Sequence, residues 1–346
     1  MKLSPESFTI LAAGLITALG APLFAATEAT TDPVGFITTS ATGGTMASPK
    51  LSLVSPTLTR PVDWQGVITT ISANSTGPST ITVSGTPWTA NQFNPTPGSY
   101  YVEVVSATNP GALSDISATT TNSITASDNL KSFGVAGDTI RIRKHVTLSD
   151  FLGASNSAGL LASDSASTAD EVLVYSGSTP STYWYYDGSL GGTAGWYDLL
   201  FNPAGNAVIG PNEGVVIKRK TAGNLSITSA GSVKTGNSLI PIQPGLNVLP
   251  TLSAEGLTLG TSGLISGSNL LKASDAASTA DEVTIYTPTT QTTYWYYDGS
   301  QGGTAGWYDL LFNPAGSVSI APGTSFVVNR KGGPAINWPL PAPTSF

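Results

Sequence analysis

The segment from Thr182 to Gly205, TYWYYDGSLGGTAGWYDLLFNPAG, returns at Thr293 to Gly316 with one change, Leu190 becoming Gln301. The offset is 111 residues and needs no gap. Two such copies oblige the chain to build the same local structure twice. Identity fades on either side: LVYSGSTPS stands against TIYTPTTQT before the core, and NAVI against SVSI after it. A duplication left to drift would scatter its differences. Their crowding into the flanks points to packing or binding as what holds the aromatic core.

Only 10% of the 346 residues are charged, against about 25% in ordinary globular chains. Scarce charge with many Gly, Ser, Thr and aromatic residues fits an extracellular all-β protein. The net charge is −7 and the basic run Lys218-Arg219-Lys220 is short, so nucleic acid is not an expected partner. The chain has no cysteine, which removes disulfides, thiol chemistry, cysteine metal sites and a lipid anchor on cysteine. Lys2, the apolar run from Phe8 to Leu19 and the small residues of Ala21-Pro22-Leu23-Phe24-Ala25-Ala26 read as a signal peptide over residues 1–25. That run is too short, and too soon broken by Pro22, for a membrane span. The mature chain is therefore expected without one, and secreted, periplasmic or at the cell surface.

Beyond the leader, the expected organisation is an N-terminal β unit over 26–145, a first repeat unit over 146–220, a second over 221–331 and a proline-rich tail over 332–346. Val34–Ile37, Leu51–Val54, Val67–Ser72, Thr80–Ser84, Tyr100–Ser106, Ser123–Ala126 and Thr139–Arg143 read as strands between Gly, Pro and Asn clusters. The first unit should thus be a small barrel or sandwich. Leu51-Ser-Leu-Val-Ser-Pro-Thr-Leu58 is echoed by Leu246-Asn-Val-Leu-Pro-Thr-Leu252. Three apolar strands end in basic residues, at Ile140–His145, Val215–Lys220 and Val327–Lys331; their termini are expected to be solvated. Thr147-Leu-Ser-Asp150, stopped by Gly153, reads as a capped helical turn. Across the copies, Val172/Val283 and Val174/Ile285 stay apolar while Leu173 becomes Thr284. The first two positions should face the core and the third water.

The run from Gly137 to Gly153, Ala169-Asp-Glu-Val172 and the final strand ending in Arg-Lys resemble an uncharacterised family of secreted β-rich repeat proteins of environmental bacteria. The resemblance spans about Asp32 to Lys331. It implies export and a β fold, and carries no catalytic or binding residue.

Chemistry has few footholds. His145 is the only histidine, beside Arg143 and Lys144, and should stay neutral or exposed. The carboxylates of the repeat could serve a glycoside hydrolase only if two of them stood roughly 5–10 Å apart. Asp164, Asp170 and Glu171, with their copies Asp275, Asp281 and Glu282, are weak calcium candidates, because the alternating acids of a calcium loop are missing. No cofactor is expected.

The aromatic core is the sharper case. Strand alternation places Tyr183, Tyr185 and Asp187 on one face, and Trp184, Tyr186 and Gly188 on the other. Trp184, Tyr186, Tyr197, Leu199 and Phe201 are assigned to the core. Tyr183, Tyr185 and Trp196 beside Asp187 are then left as a partly exposed platform, copied at Tyr294, Tyr296 and Trp307 beside Asp298. The leading expectation is a non-catalytic structural or interaction protein that associates with itself, helped by free β edges. The alternative is a carbohydrate-binding module whose two aromatic platforms hold a polysaccharide. A carboxylate-dependent glycoside hydrolase ranks third.

Overall fold

The computed structural model describes residues 32–344 apart from 74–76, 95, 97, 108–109 and 267–269. The expected signal peptide lies outside the described residues. The chain runs β1 (Val34–Ala41), β2 (Lys50–Val54), β3 (Val62–Ala73), β4 (Ser79–Val83), β5 (Tyr100–Val104), β6 (Leu113–Thr119), β7 (Ser123–Ala126) and β8 (Thr139–Lys144). There follow β9 (Val146–Thr147), helix α1 (Leu148–Leu152), β10 (Glu171–Ser176), β11 (Thr179–Tyr186), β12 (Gly195–Asp198), β13 (Val208–Ile209), β14 (Gly214–Arg219) and β15 (Leu225–Ser232). The last part is β16 (Ser238–Ile242), β17 (Gly245–Pro250), β18 (Leu257–Thr258), β19 (Glu282–Tyr286), β20 (Gln291–Tyr297), β21 (Gly306–Asp309), β22 (Ser319–Ile320), β23 (Ser325–Arg330) and β24 (Ile336–Leu340). The fold is all-β, and α1 is the capped turn read from the sequence: Thr147 and Asp150 form a reciprocal capping box.

The first unit is a closed barrel in the order β3-β4-β7-β6-β5-β8. Six strands leave room only for side chains. Alternate residues fill it, among them Ile68, Ile81, Val102, Ile116, Ile124, Ile140 and Ile142. Strand β3 serves two neighbours, pairing with β8 through its first half and β4 through its second, with a register shift between Ile68 and Thr70. Gly66 is required here because a Cβ would stand 2.2 Å from the ring of Trp64.

The repeats differ from the expected boundaries. The first is the sheet β12-β11-β10-β14-β2, and the second is β21-β20-β19-β23-β17. Strand β2 thus belongs to the first repeat, as β17 belongs to the second, which is what the Leu51–Leu58 echo reflects. Ribbons β1–β15 and β16–β24 flank the two sheets in the same way. The barrel is therefore inserted within the first repeat, between β2 and β9. The segment read as a tail contains β24, whose Trp338 is buried against Phe326 and donates its indole N–H to Ser262 O at 2.7 Å.

Each sheet has a separate core on its inner face, containing Val172, Val174, Val215 and Ile217 in the first and Val283, Phe326 and Val328 in the second. The opposite faces meet each other through Leu53, Val216 and Val248, with Leu173, Tyr175, Tyr286 and Val327 around them. Leu173 and Thr284, expected to face water, are half-buried. Gly214 marks the close approach, since a Cβ there would stand 2.6 Å from Val248.

Candidate functional site

Face sorting by alternation holds for the aromatic segment. Tyr185 lies opposite Trp196 and Trp184 opposite Tyr197 in the β11–β12 pair. Trp184 and Tyr186 are buried with Ala169, as expected of core residues. Trp196 is not on an open platform: it is 3% exposed and donates its indole N–H to Gly153 O at 2.8 Å. Tyr183 and Tyr185 are half-buried against the same core, and Tyr185 meets Trp196 edge-on at 5.2 Å. Tyr294 and Tyr296 repeat this beside Trp307, which is 5% exposed. Both faces of the strand pair are covered, because β12 lies over the helical turn on one side and the next loop folds over the other. Asp187 and Asp298 accept the backbone N–H of Ser189 and Ser300 at 2.8 Å, a turn role. The Ser189 and Ser300 hydrogen bonds hold these two carboxyls below the usual range.

Two residues assigned to the core, Leu199 and Phe201, stand largely in solvent instead. Leu199, Leu200 and Phe201 are exposed, as are Leu310, Leu311 and Phe312, and Leu200 and Leu311 each reach 83%. The cause is a turn organised by one carboxylate. Asp198 Oδ1 accepts Leu200 N–H at 2.9 Å and Asn202 N–H at 2.8 Å, while Oδ2 accepts Asn202 Nδ2–H at 2.9 Å. Asp309 makes the same three bonds to Leu311 and Asn313, at 2.9, 2.8 and 2.9 Å. Bonds from Asn202 and Asn313 keep both carboxyls below the usual range. Phe201 and Phe312 both have φ of +64°, a left-handed conformation that a bulky residue rarely adopts. Each ring stacks on the preceding tyrosine at 4.4 Å. Two leucines are thereby held outward on a braced loop, twice.

The same loops cover the expected free edges. Ala204 N–H donates to Trp196 O at 2.8 Å and Ala315 N–H to Trp307 O at 2.7 Å, so β12 and β21 are closed by their own chain.

The acids considered for calcium are engaged otherwise. Asp170 pairs with Arg219 at 2.9 Å and Glu171 with Lys220 at 2.5 Å; Asp281 pairs with Arg330 at 3.0 Å and Glu282 with Lys331 at 2.6 Å. Asp164 and Asp275 remain exposed at the loop, accepting from Ser163 and Ser274. Among the described residues, no group of three His, Asp or Glu is gathered to hold a metal ion. The basic strand ends expected in solvent are thus mostly interior: Arg219, Lys220 and Arg330 are buried, and so is Arg143, paired with Asp32. The signal was in the sequence, since all eight residues keep their places across the 111-residue offset.

His145, expected to stay neutral or exposed, is only 2% exposed; its Nε2 lies 2.9 Å from Asp115 Oδ1 and its ring lies against Tyr101. Sequence reasoning missed its neighbour Glu213. Burial pushes the Glu213 carboxyl up, although Gly210 N–H donates to it at 2.7 Å. A raised folded-state pKa favours the protonated fold, so this contribution is full below the unfolded value of about 4.3 and lost as pH rises through the folded value. Glu213→Gln should therefore melt above the wild type at pH 7 and level with it near pH 4. A thermal melt series across that range checks the sign.

The molecule is thus defined as an all-β protein of two five-stranded repeats, with a six-stranded barrel set into the first and one braced apolar loop on each repeat. Compared with protein-family models, with curated proteins and with solved structures, the chain matches none. Among the described residues, no helix is long and apolar enough to cross a membrane.

Proposed function

We propose that the protein is a non-catalytic, exported structural or interaction protein that associates with further copies of itself through its two Leu-Leu-Phe loops. One observation carries this reading. Leu199, Leu200 and their copies Leu310 and Leu311 are identical although they are exposed, so internal packing does not account for their retention. Exposed apolar loops on a chain with little charge favour burial against another surface. Two of them on one chain make it bivalent, so heterologous contacts can extend into an open assembly. The leader-like N-terminus supports a place outside the cytoplasm. Sugar stacking on the aromatic repeat has less support, because Trp196 and Trp307 offer no open ring face.

Light scattering of the mature chain over a concentration series should register growing particles. Leu200→Ser combined with Leu311→Ser should return it to a monomer while stability stays within about 1 kcal/mol, as for other exposed positions. A wild-type chain that remains monomeric throughout overturns the proposal. Retention of that monomer on a polysaccharide column would restore the carbohydrate-binding alternative.

A further inference from the structure

The barrel, the first repeat and the β16–β24 ribbon meet around a cavity of about 410 Å³. Its wall includes Asp115 and Asp128 from the barrel, His145 from the β8–β9 junction, Glu213 from the turn before β14, and Gln243 after β16; Phe133 stands on its apolar side. We propose that this cavity binds a neutral, hydroxyl-rich ligand the size of one or two sugar rings.

The position is favourable, since small-molecule sites collect where substructures meet and usually measure about 300–1,000 Å³. Charge narrows the ligand. Three carboxylates against one imidazole exclude an anion. A divalent cation is not favoured either, because the acids are not gathered as ligands. They are instead fixed by the protein: Ser114 Oγ donates to Asp128 Oδ2 at 2.8 Å, Gly210 N–H donates to Glu213, and Asp115 faces His145. Carboxylates positioned in this way offer their remaining lone pairs to hydroxyl donors. Gln243 adds both a donor and an acceptor, and the half-buried Phe133 gives an apolar surface for the C–H face of a sugar ring.

His145 holds this wall from behind. It is buried, with Nε2 2.9 Å from Asp115 Oδ1 and its ring against Tyr101, so it fixes the Asp115 carboxylate that the cavity presents. None of this depends on the Leu-Leu-Phe loops, and the loop variants should leave the cavity intact.

Ligand-observed saturation-transfer NMR on the full mature chain, with glucose, galactose, N-acetylglucosamine and cellobiose as separate probes and spermidine as a cationic control, tests the proposal. At least one sugar should give a saturable signal in the millimolar range. Gln243→Ala, at an exposed side chain, should weaken that binding by about tenfold or more, as for a contact central to a site, with its melting temperature held. Phe133→Ala should weaken it as much while lowering the melting temperature, because the ring also packs on the barrel core. His145→Asn should weaken it too, and a melt identifies any loss due to unfolding. Silence from all four sugars, binding untouched by both Phe133→Ala and Gln243→Ala, or a response to spermidine alone would each overturn the assignment.

Discussion

Trp196→Ala should destabilise the protein by about 3–5 kcal/mol, the range for emptying a buried tryptophan site. The indole fills the first repeat's inner core, meets Tyr185 edge-on and donates to Gly153 O, the residue that ends the helical turn. Its loss removes packing and one of the two donors of that carbonyl, which keeps the Asn156 N–H at 3.0 Å. Trp307→Ala should cost a similar amount in the second repeat, where Trp307 is buried and meets Tyr296 at 5.5 Å. Tyr185→Ala should fall between these and a surface change, since Tyr185 is half-buried. Chemical denaturation of the three variants gives the ranking. A Trp196→Ala chain as stable as wild type would return that ring to the surface and revive the platform.

Asp170→Ala should be comparably severe, at about 3–5 kcal/mol, because removing one partner strands a buried charge. Asp170 pairs with Arg219, which is itself buried, and accepts the backbone N–H groups of Leu161 and Lys220 at 2.8 and 2.6 Å. One carboxylate thus ties the entry of β10 to the end of β14. Asp281→Ala should match it, since Asp281 makes the equivalent bonds to Lys272 and Lys331 at 2.7 and 2.8 Å. Replacing Asp170 together with Arg219 by apolar residues of like size should recover much of the loss. A chelator should leave the melting temperature unchanged. If it lowers that temperature, the acids hold a metal ion after all.

The contrast between these residues indicates what sequence reading could reach. Alternation sorted Tyr183 to Tyr186 correctly, because strand geometry is local. It could not tell that the face of Tyr183, Tyr185 and Trp196 is covered as well, since the helical turn ending at Gly153 comes from elsewhere in the chain. Leu199 was misplaced for the opposite reason. Leu199 and Phe201 were read as continuing the strand, but β12 ends at Asp198, whose side chain turns the backbone. An Asp followed four residues later by Asn-Pro was the available signal. The buried ion pairs were legible in part: Asp170, Glu171, Arg219 and Lys220 recur together in the second copy, although nothing in their spacing says they touch. The His145 cavity was not legible at all, because its walls are drawn from three parts of the fold that only tertiary packing brings together.

The barrel's place within the first repeat carries a consequence for how such a chain is assembled. Val62, near its entry, lies opposite Arg143, near its exit. The two ends of the insert are therefore neighbours, and the host must close only a short gap to accept it. The second repeat demonstrates the minimum within the same molecule, passing from Pro250 to Leu257 with no insert at all. A domain whose termini meet in this way behaves as a cassette: its own closure supplies the loop entropy that the host would otherwise lose. The repeat can thus carry a foreign barrel without a change of register, and the site of attachment is one where other cassettes could be carried.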